Sequence, residues 1–285
     1  MEGVACAQRI DGVNRKRRHL FRLAALIEPA GALVIAGGTS IDVNGSLTLT
    51  DGSLDTGTVN AKGAVSAAST FDGGTANLIL NGADAQAVSF GSGVVLPNVT
   101  FNNANLDVTP SGSLSLYGLT LTDGTYHAGS YTTTITPGDF TVNGGTFDEG
   151  TGTVAFTGAG ANQTITADTE VFHDLSMNNP GYALIIANGT SVTANGTLTL
   201  TDGSLNTGTI NAKGAVSVAA TFDGGTSPMT LTGTGAQAIT LESGCTFPSG
   251  AFTVNKTSGI ATVSGAWTLP GAVTISQGTL SLGDD

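Results

Sequence analysis

Residues Asn44 to Thr75 return almost letter for letter at Asn195 to Thr226, so whatever fold this chain adopts has to accommodate copies of one module. Across that stretch the changes are Ser46 to Thr197, Asp55 to Asn206, Val59 to Ile210, Ala67 to Val218 and Ser69 to Ala220. Apart from Asp55 to Asn206, which removes a charge, and Ser69 to Ala220, which removes a hydroxyl, they differ only by methyl groups, which is what a packed, stacked surface tolerates. Asp51-Gly52 and Asp202-Gly203 stand 151 residues apart, with Asp123-Gly124 between them. The interval therefore spans two modules of about 75 residues each. Phe71-Asp72-Gly73-Gly74-Thr75 keeps the same beat with Phe222-Asp223-Gly224-Gly225-Thr226 and, more loosely, with Gly144-Gly145-Thr146-Phe147-Asp148. So do Gln86, Gln163 and Gln237, each set in small residues and followed by an apolar one. A fourth copy opens near Gly259, where Gln277-Gly278-Thr279-Leu280 aligns with Asp202-Gly203-Ser204-Leu205. The expected organisation is a basic leader over 1–30 and a repeat region over 31–285, with copies at 31–107, 108–183, 184–258 and a partial one at 259–285.

Each module divides into four stretches of roughly 19 residues, the length of one coil of a parallel β-solenoid. Ala183-Leu184-Ile185-Ile186, Thr197-Leu198-Thr199-Leu200-Thr201, Gly214-Ala215-Val216-Ser217-Val218 and Met229-Thr230-Leu231-Thr232 are apolar or alternating segments, separated by Asn-Gly, Asp-Gly or Gly-Gly. Period-two alternation puts one face inward and one outward. With 42 Gly, 8 Pro and 6% aromatic residues, the chain has too little bulk for a conventional two-layer core. Small inward residues suit a narrow coil whose backbone is hydrogen-bonded to the coils above and below. Roughly 13 coils spaced about 4.8 Å apart would span on the order of 60 Å. The fold expected is all-β, a parallel β-helix. The alternative is a string of small β-sandwich modules, because Asn44-Gly45, Asn81-Gly82, Asn143-Gly144, Asn188-Gly189 and Asn195-Gly196 also suit antiparallel hairpins. Helix is not expected beyond the leader.

Three phrases carry a resemblance: Gly150-Thr151-Gly152-Thr153-Val154-Ala155-Phe156-Thr157-Gly158, then Gln163-Thr164-Ile165, then Phe172-His173-Asp174-Leu175-Ser176-Met177-Asn178-Asn179. Together they resemble the module of large bacterial surface repeat proteins, which reads roughly G-T-G-T-V-x-F-x-G, Q-T-I and F-x-N-L-x-I-N-N. The coil length is similar to that of filamentous-haemagglutinin-like and autotransporter-passenger-like adhesins. The resemblance covers about residues 31–285. It implies a right-handed parallel β-helix at a cell surface or secreted from the cell. It implies no activity, because its motifs are structural.

Residues 1–30 are different in kind. They hold six of the nine basic residues, Arg9, Arg15, Lys16, Arg17, Arg18 and Arg22, and carry +3, against −15 for the rest. Arg17-Arg18-His19-Leu20-Phe21-Arg22 resembles a twin-arginine export motif, and Ala30-Gly31-Ala32 could be a cleavage site. The apolar run Leu23 to Ile27 is short for a signal, so the segment is expected to be disordered or a targeting segment. No stretch reaches the roughly 18 apolar residues that span a membrane. Cys6 and Cys245 are not expected to pair, since Val94 occupies the position of Cys245 in the first copy.

The acidic repeat argues against nucleic acid, whose phosphates need Lys and Arg. Asp51, Asp123 and Asp202 before Gly, and Asp72 and Asp223 before Gly-Gly, raise calcium between stacked turns. Each stands alone outside any G-G-x-G-x-D nonapeptide, so turn capping by the Asp side chain is the expected role. An enzyme would need a cluster that breaks the repeat, and the middle copy offers Asp139, Asp148, Glu149, Asp168, Glu170, His173 and Asp174. Two carboxylates about 5 to 9.5 Å apart would flank a sugar. His173 and Asp174 fill variable slots of their phrase, and His127 stands in an apparent loop. Thr48, Thr50 and Thr132 to Thr134 raise ice or crystalline-surface binding, for which strand propensity is the plainer explanation. The expectation is therefore a non-enzymatic, extracellular or cell-surface stalk or adhesin without catalytic, cofactor or metal residues. Its partner would be a host or environmental glycan or a surface protein, and it could stack end to end or belong to a longer chain. A polysaccharide lyase or hydrolase is the alternative function, and ice or crystal binding the second.

Overall fold

The structure is a computed structural model, and it describes residues 31–158, 160–266, 268 and 271–283. The leader, with its candidate export motif and Cys6, lies outside the described residues. The described residues fall into two compact units, one of residues 31–127 and 143–147 and the other of 128–142 and 148–283. Each is a parallel β-solenoid, and no helix occurs among the described residues.

In the first unit Ser40–Val43, Thr58–Ala61, Asn77–Leu80, Val95–Phe101 and Leu114–Leu121 stack in parallel, each strand paired in register with the next. A second face is built from Leu47–Leu49, Val65–Ala67 and Val88–Phe90. In the second unit, Thr132–Ile135 pairs with Thr153–Phe156, and that strand pairs with the start of Asp174–Ala194. Leu198–Ala212, Val216–Val218 and Gln237–Leu241 continue the same face. These parallel pairings rule out the sandwich alternative. The Asn-Gly steps turn the chain between faces of one coil instead of reversing it into a hairpin.

Alternation fills the interior. Leu47 and Leu49 are buried on either side of exposed Thr48. In the second unit Ile135, Phe156, Met177, Leu200, Val218 and Leu241 form one inward column, each no more than 4% exposed. Side-chain size is balanced along such columns, so that Phe172 is followed by Ala194, Ala212, Leu231 and Val254, all fully buried. The few aromatic residues are concentrated inside. Phe140 meets Phe172 edge to face at 5.3 Å, and Phe101 meets Tyr126 at 5.8 Å, a geometry aromatic pairs favour.

The coils number about 12, with a spacing near 21 residues, longer than the 19 expected. Ser40 pairs with Thr58, 18 residues on, whereas Leu175 pairs with Leu198, 23 residues on. The added length lies at corners. The register shifts between Asn178 and Ala183, where Pro180-Gly181 bulges, and between Ile186 and Ser191, where Asn188-Gly189 does.

The Phe-Asp-Gly-Gly-Thr block needs its last glycine for a close approach. Gly74 and Gly225 hold φ of 111° and 121°, and a Cβ would lie 2.1 Å from the Leu54 carbonyl oxygen and 2.0 Å from that of Leu205. The coil before occupies the space a side chain would need. Gly225→Ala is therefore expected to destabilise the protein by at least about 1–3 kcal/mol in urea denaturation. Gly235→Ala, at a site with nothing within 4 Å and no positive φ, should stay within about 0.5 kcal/mol of the parent.

Candidate functional site

The recurrent glutamines are structural. Gln86 Nε2 donates to the carbonyls of Ala61 and Gly63 at 2.9 and 2.6 Å. Gln163 Nε2 donates to Ile135 and Gly138 at 2.9 and 3.0 Å, and Gln237 Nε2 to Ala212 and Gly214 at 3.0 and 2.7 Å. All three glutamines are buried. At each corner the amide joins a backbone N–H on the last ladder carbonyl, that of Ala61, Ile135 or Ala212, and reaches a second carbonyl beyond the strand end, that of Gly63, Gly138 or Gly214, because a buried unpaired acceptor is costly.

The corner aspartates cap their own turns. Asp51, Asp123 and Asp202 each accept through Oδ1 from the N–H of the following glycine, at 2.7, 3.0 and 2.7 Å. Asp72 and Asp223 are exposed. No group of three or more His, Cys, Asp or Glu positioned to hold a metal ion occurs among the described residues. Cys245 is a half-buried free thiol, raised above its ordinary pKa by burial and by the nearby Glu242 charge.

Of the seven middle-copy candidates, the structure sets Glu149 near enough to Glu170 to affect its charge, and His173 beside Asp174. Asp139 instead accepts from Thr164 N–H at 2.7 Å, Asp148 accepts from Gly150 N–H at 3.3 Å, and Asp168 is exposed. Glu149 accepts from Asn195 Nδ2 at 3.3 Å, 46 residues and two coils away, and Glu170 lies on the coil between. His173 Nδ1 stands 3.4 Å from Asp174 Oδ1, and that oxygen accepts from Thr197 N–H at 2.5 Å. His127 is in a strand, Thr125–His127, not in a loop, and its Nε2 lies 3.0 Å from Asp107 Oδ1.

Glu170 departs furthest from ordinary behaviour. In register it stacks on Val192, and beyond that on Ile210, Met229 and Phe252, so it occupies an inward column and is 8% exposed. Burial pushes its carboxyl from 4.5 up to about 7; a bond from Val171 N–H opposes the rise, and the Glu149 charge adds to it. The sequence signal for this inward position is its alternation with buried Phe172. An acid facing the core this way differs from the pair of open carboxylates flanking a sugar that two-carboxylate hydrolysis uses.

Sequence reasoning missed Lys256, which is fully buried. Its Nζ donates to the Gly233 carbonyl at 2.8 Å and to Gln237 Oε1 at 3.1 Å, and burial lowers its pKa. The available signal was its place in Asn255-Lys256, which matches Asn102-Asn103 and Asn178-Asn179.

The outward residues form polar columns made mostly of hydroxyl side chains. Ser176, Thr199, Ser217, Thr240 and Ser264 stand in register on consecutive coils, and Thr193, Asn211, Thr230, Thr253 and Thr274 do the same on another face. In the first unit Thr48, Ser66 and Ser89 stack beside a shallow groove of about 520 Å³ that also reaches Asp107. The column through Thr199 is single file, because continuing the register puts Ala215 beside Thr197 and Ala219 beside Thr201. A flat two-rank Thr face does not form there.

Comparison with protein-family models, with curated proteins and with solved structures finds no match.

Two outcomes test the internal residues. The folded carboxyl of Glu170 titrates near 7 and the unfolded one near 4.5. Its contribution to stability is thus fully present below about pH 4.5 and is lost as pH rises through 7. Glu170→Gln should remove that decline, so that the melting temperature of the variant gains on the parent between pH 5 and pH 8. Gln86→Met, which takes the side-chain donor from the Gly63 carbonyl and one of two donors from the Ala61 carbonyl, should cost about 1–3 kcal/mol by chemical denaturation.

Proposed function

We propose that this chain is a non-enzymatic repeat protein of the cell surface or of the secreted fraction, acting as a structural stalk or an adhesin. What carries this reading is the division of labour among the recurring polar residues. Gln86, Gln163 and Gln237 tie coil to coil, Asp51, Asp123 and Asp202 cap corners, and the outward positions hold small hydroxyl side chains. The resemblance of the Gly150–Gly158 and Phe172–Asn179 phrases to bacterial surface repeat modules supports the surface assignment. No helix among the described residues is long and apolar enough to cross a membrane.

The partner proposed is a glycan or a surface protein. Columns of Ser and Thr at the coil spacing of about 4.8 Å offer one hydrogen-bonding hydroxyl per coil. A polymer could use many weak contacts there, none of them decisive. The second reading, a polysaccharide lyase or hydrolase, has in its favour the proximity of Glu149 to Glu170 and of His173 to Asp174. The inward register of Glu170 weighs against it.

The test is a glycan array run with the purified protein, with polysaccharide turnover assayed in parallel. Expected are binding to a defined glycan class, no turnover, and unchanged binding by Glu170→Gln. Ser217→Ala and Thr240→Ala should each weaken binding by less than about tenfold, or about 1.4 kcal/mol. Turnover that Glu149→Gln and Glu170→Gln both abolish would replace this reading with the enzymatic one.

A further inference from the structure

One internal corner recurs in the three repeats and is filled differently in each. Val99-Thr100-Phe101-Asn102-Asn103, Leu175-Ser176-Met177-Asn178-Asn179 and Phe252-Thr253-Val254-Asn255-Lys256 correspond. Their last residues, Asn103, Asn179 and Lys256, are 5%, 0% and 0% exposed. The recurrent glutamine of the preceding coil shares the corner. Its Nε2 is always bound to backbone carbonyls, so the question is what its Oε1 accepts.

In the first repeat Gln86 Oε1 accepts from Gly82 N–H at 3.3 Å. In the third, Gln237 Oε1 accepts from the Lys256 ammonium at 3.1 Å, and that ammonium also donates to Gly233 O at 2.8 Å. In the second, Gln163 Oε1 and Asn179 Oδ1 are both buried and both lack a donor. Asn179 Nδ2 is engaged elsewhere, with Ala161 O at 3.2 Å and Ala183 O at 3.3 Å. The sequence supplies a cause. Gly82 stands four residues before Gln86 and Gly233 four before Gln237, but Gly158 stands five before Gln163. One added residue takes away the glycine N–H that serves Gln86. The absence of a side chain at Gly158 keeps the corner open, since a Cβ there would lie 2.1 Å from Asn179 Oδ1.

We propose that this corner of the second repeat binds one monovalent cation, held by the neutral oxygens of Gln163 and Asn179, in the place the Lys256 ammonium takes in the third repeat. Gly158, the counterpart of Gly233, offers its carbonyl as a third oxygen. An asparagine side chain ends two bonds short of a lysine Nζ, which leaves room for a free ion where the tethered one would stand. The two donorless side-chain oxygens and the Gly158 carbonyl make three acceptors, which suit a small cation better than a water, which donates only two hydrogens. Rings of neutral carbonyl oxygens are what replaces the hydration shell of such an ion. Among the described residues no group of three or more His, Cys, Asp or Glu is placed to hold a metal ion, so a divalent charge would lack its usual carboxylates there. Sodium, potassium and ammonium share this chemistry, and the arms of the test separate them.

The experiment is thermal unfolding of the whole chain at one ionic strength in sodium, potassium, ammonium or tetramethylammonium chloride. At least one small cation should raise the melting temperature by about 2–4 °C over tetramethylammonium, which is too large for the corner. Asn179→Lys carries its own ammonium into the site and should melt at the same temperature in all four salts. Should that variant fail to fold, crystals of the parent soaked in thallium(I) decide independently. A heavy-atom peak is expected between Gln163 Oε1 and Asn179 Oδ1, and none at the Gln86 corner. Equal melting in all four salts for the parent, or water density alone in the corner, overturns the proposal.

Discussion

The in-register parallel pairing of each coil with the next is the interaction on which the other features of both units depend. It satisfies the backbone without any need for a thick core, and it places residue i of one coil directly on its counterpart in the next. A position then inherits the environment of its column. That is why Val59 and Ile210, or Ala67 and Val218, exchange between copies: each sits in a buried column whose neighbours differ in size. The column from Phe172 through Ala194 and Ala212 to Leu231 shows the compensation, with bulk on one coil offset by small residues on the next two.

Stacking has a weakness at the corners, where the chain turns and the ladder lapses. The structure meets it with side chains borrowed from adjacent coils. The glutamine amides bridge to carbonyls 23 to 28 residues back. A subtler case is Thr56 and Thr207, which adopt φ of 54° and 81°, unusual for a β-branched residue. In each case the backbone N–H is met at 3.3 Å by the hydroxyl of a threonine one coil on, Thr75 or Thr226. The strained conformation recurs because its support recurs in the same copy.

The features that local sequence determines were legible: the copies, the alternation that separates Leu47 from Thr48, the glycine corners and the Asp caps. The parallel stacking expected from coil length and small inward residues is what the structure shows, although Asn-Gly by itself fits a hairpin and a solenoid corner equally and only non-local pairing decides between them. Coil length was read short for a related reason. Pro180-Gly181 and Asn188-Gly189 look like ordinary turns, and only the register with Leu198–Ala212 reveals them as bulges within a longer coil. Among the chemical residues, Glu170 could be placed by parity. The burial of Lys256 could not, since lysine at the end of a strand phrase reads as a solvated charge until its copies Asn103 and Asn179 are seen to be internal.

The same geometry constrains where function can reside. An inward position is committed to packing or to internal hydrogen bonds, so a carboxylate there, such as Glu170, is driven toward its neutral form and is turned away from any polymer outside. An outward position is solvated and faces nothing but its column neighbours above and below. Reactive groups can be concentrated only where a corner departs from the repeat, as it does around Glu149, His173, Asp174 and Asn195. Even there the polar atoms are largely engaged by the coils they join: Asp174 with Thr197 N–H, and Glu149 with Asn195. A recognition surface is under no such restriction. It needs only that the hydroxyl of Ser176 be followed by those of Thr199, Ser217, Thr240 and Ser264, which stacking provides without further design. On this geometry rests the proposal of binding spread along a face in place of chemistry gathered at a point.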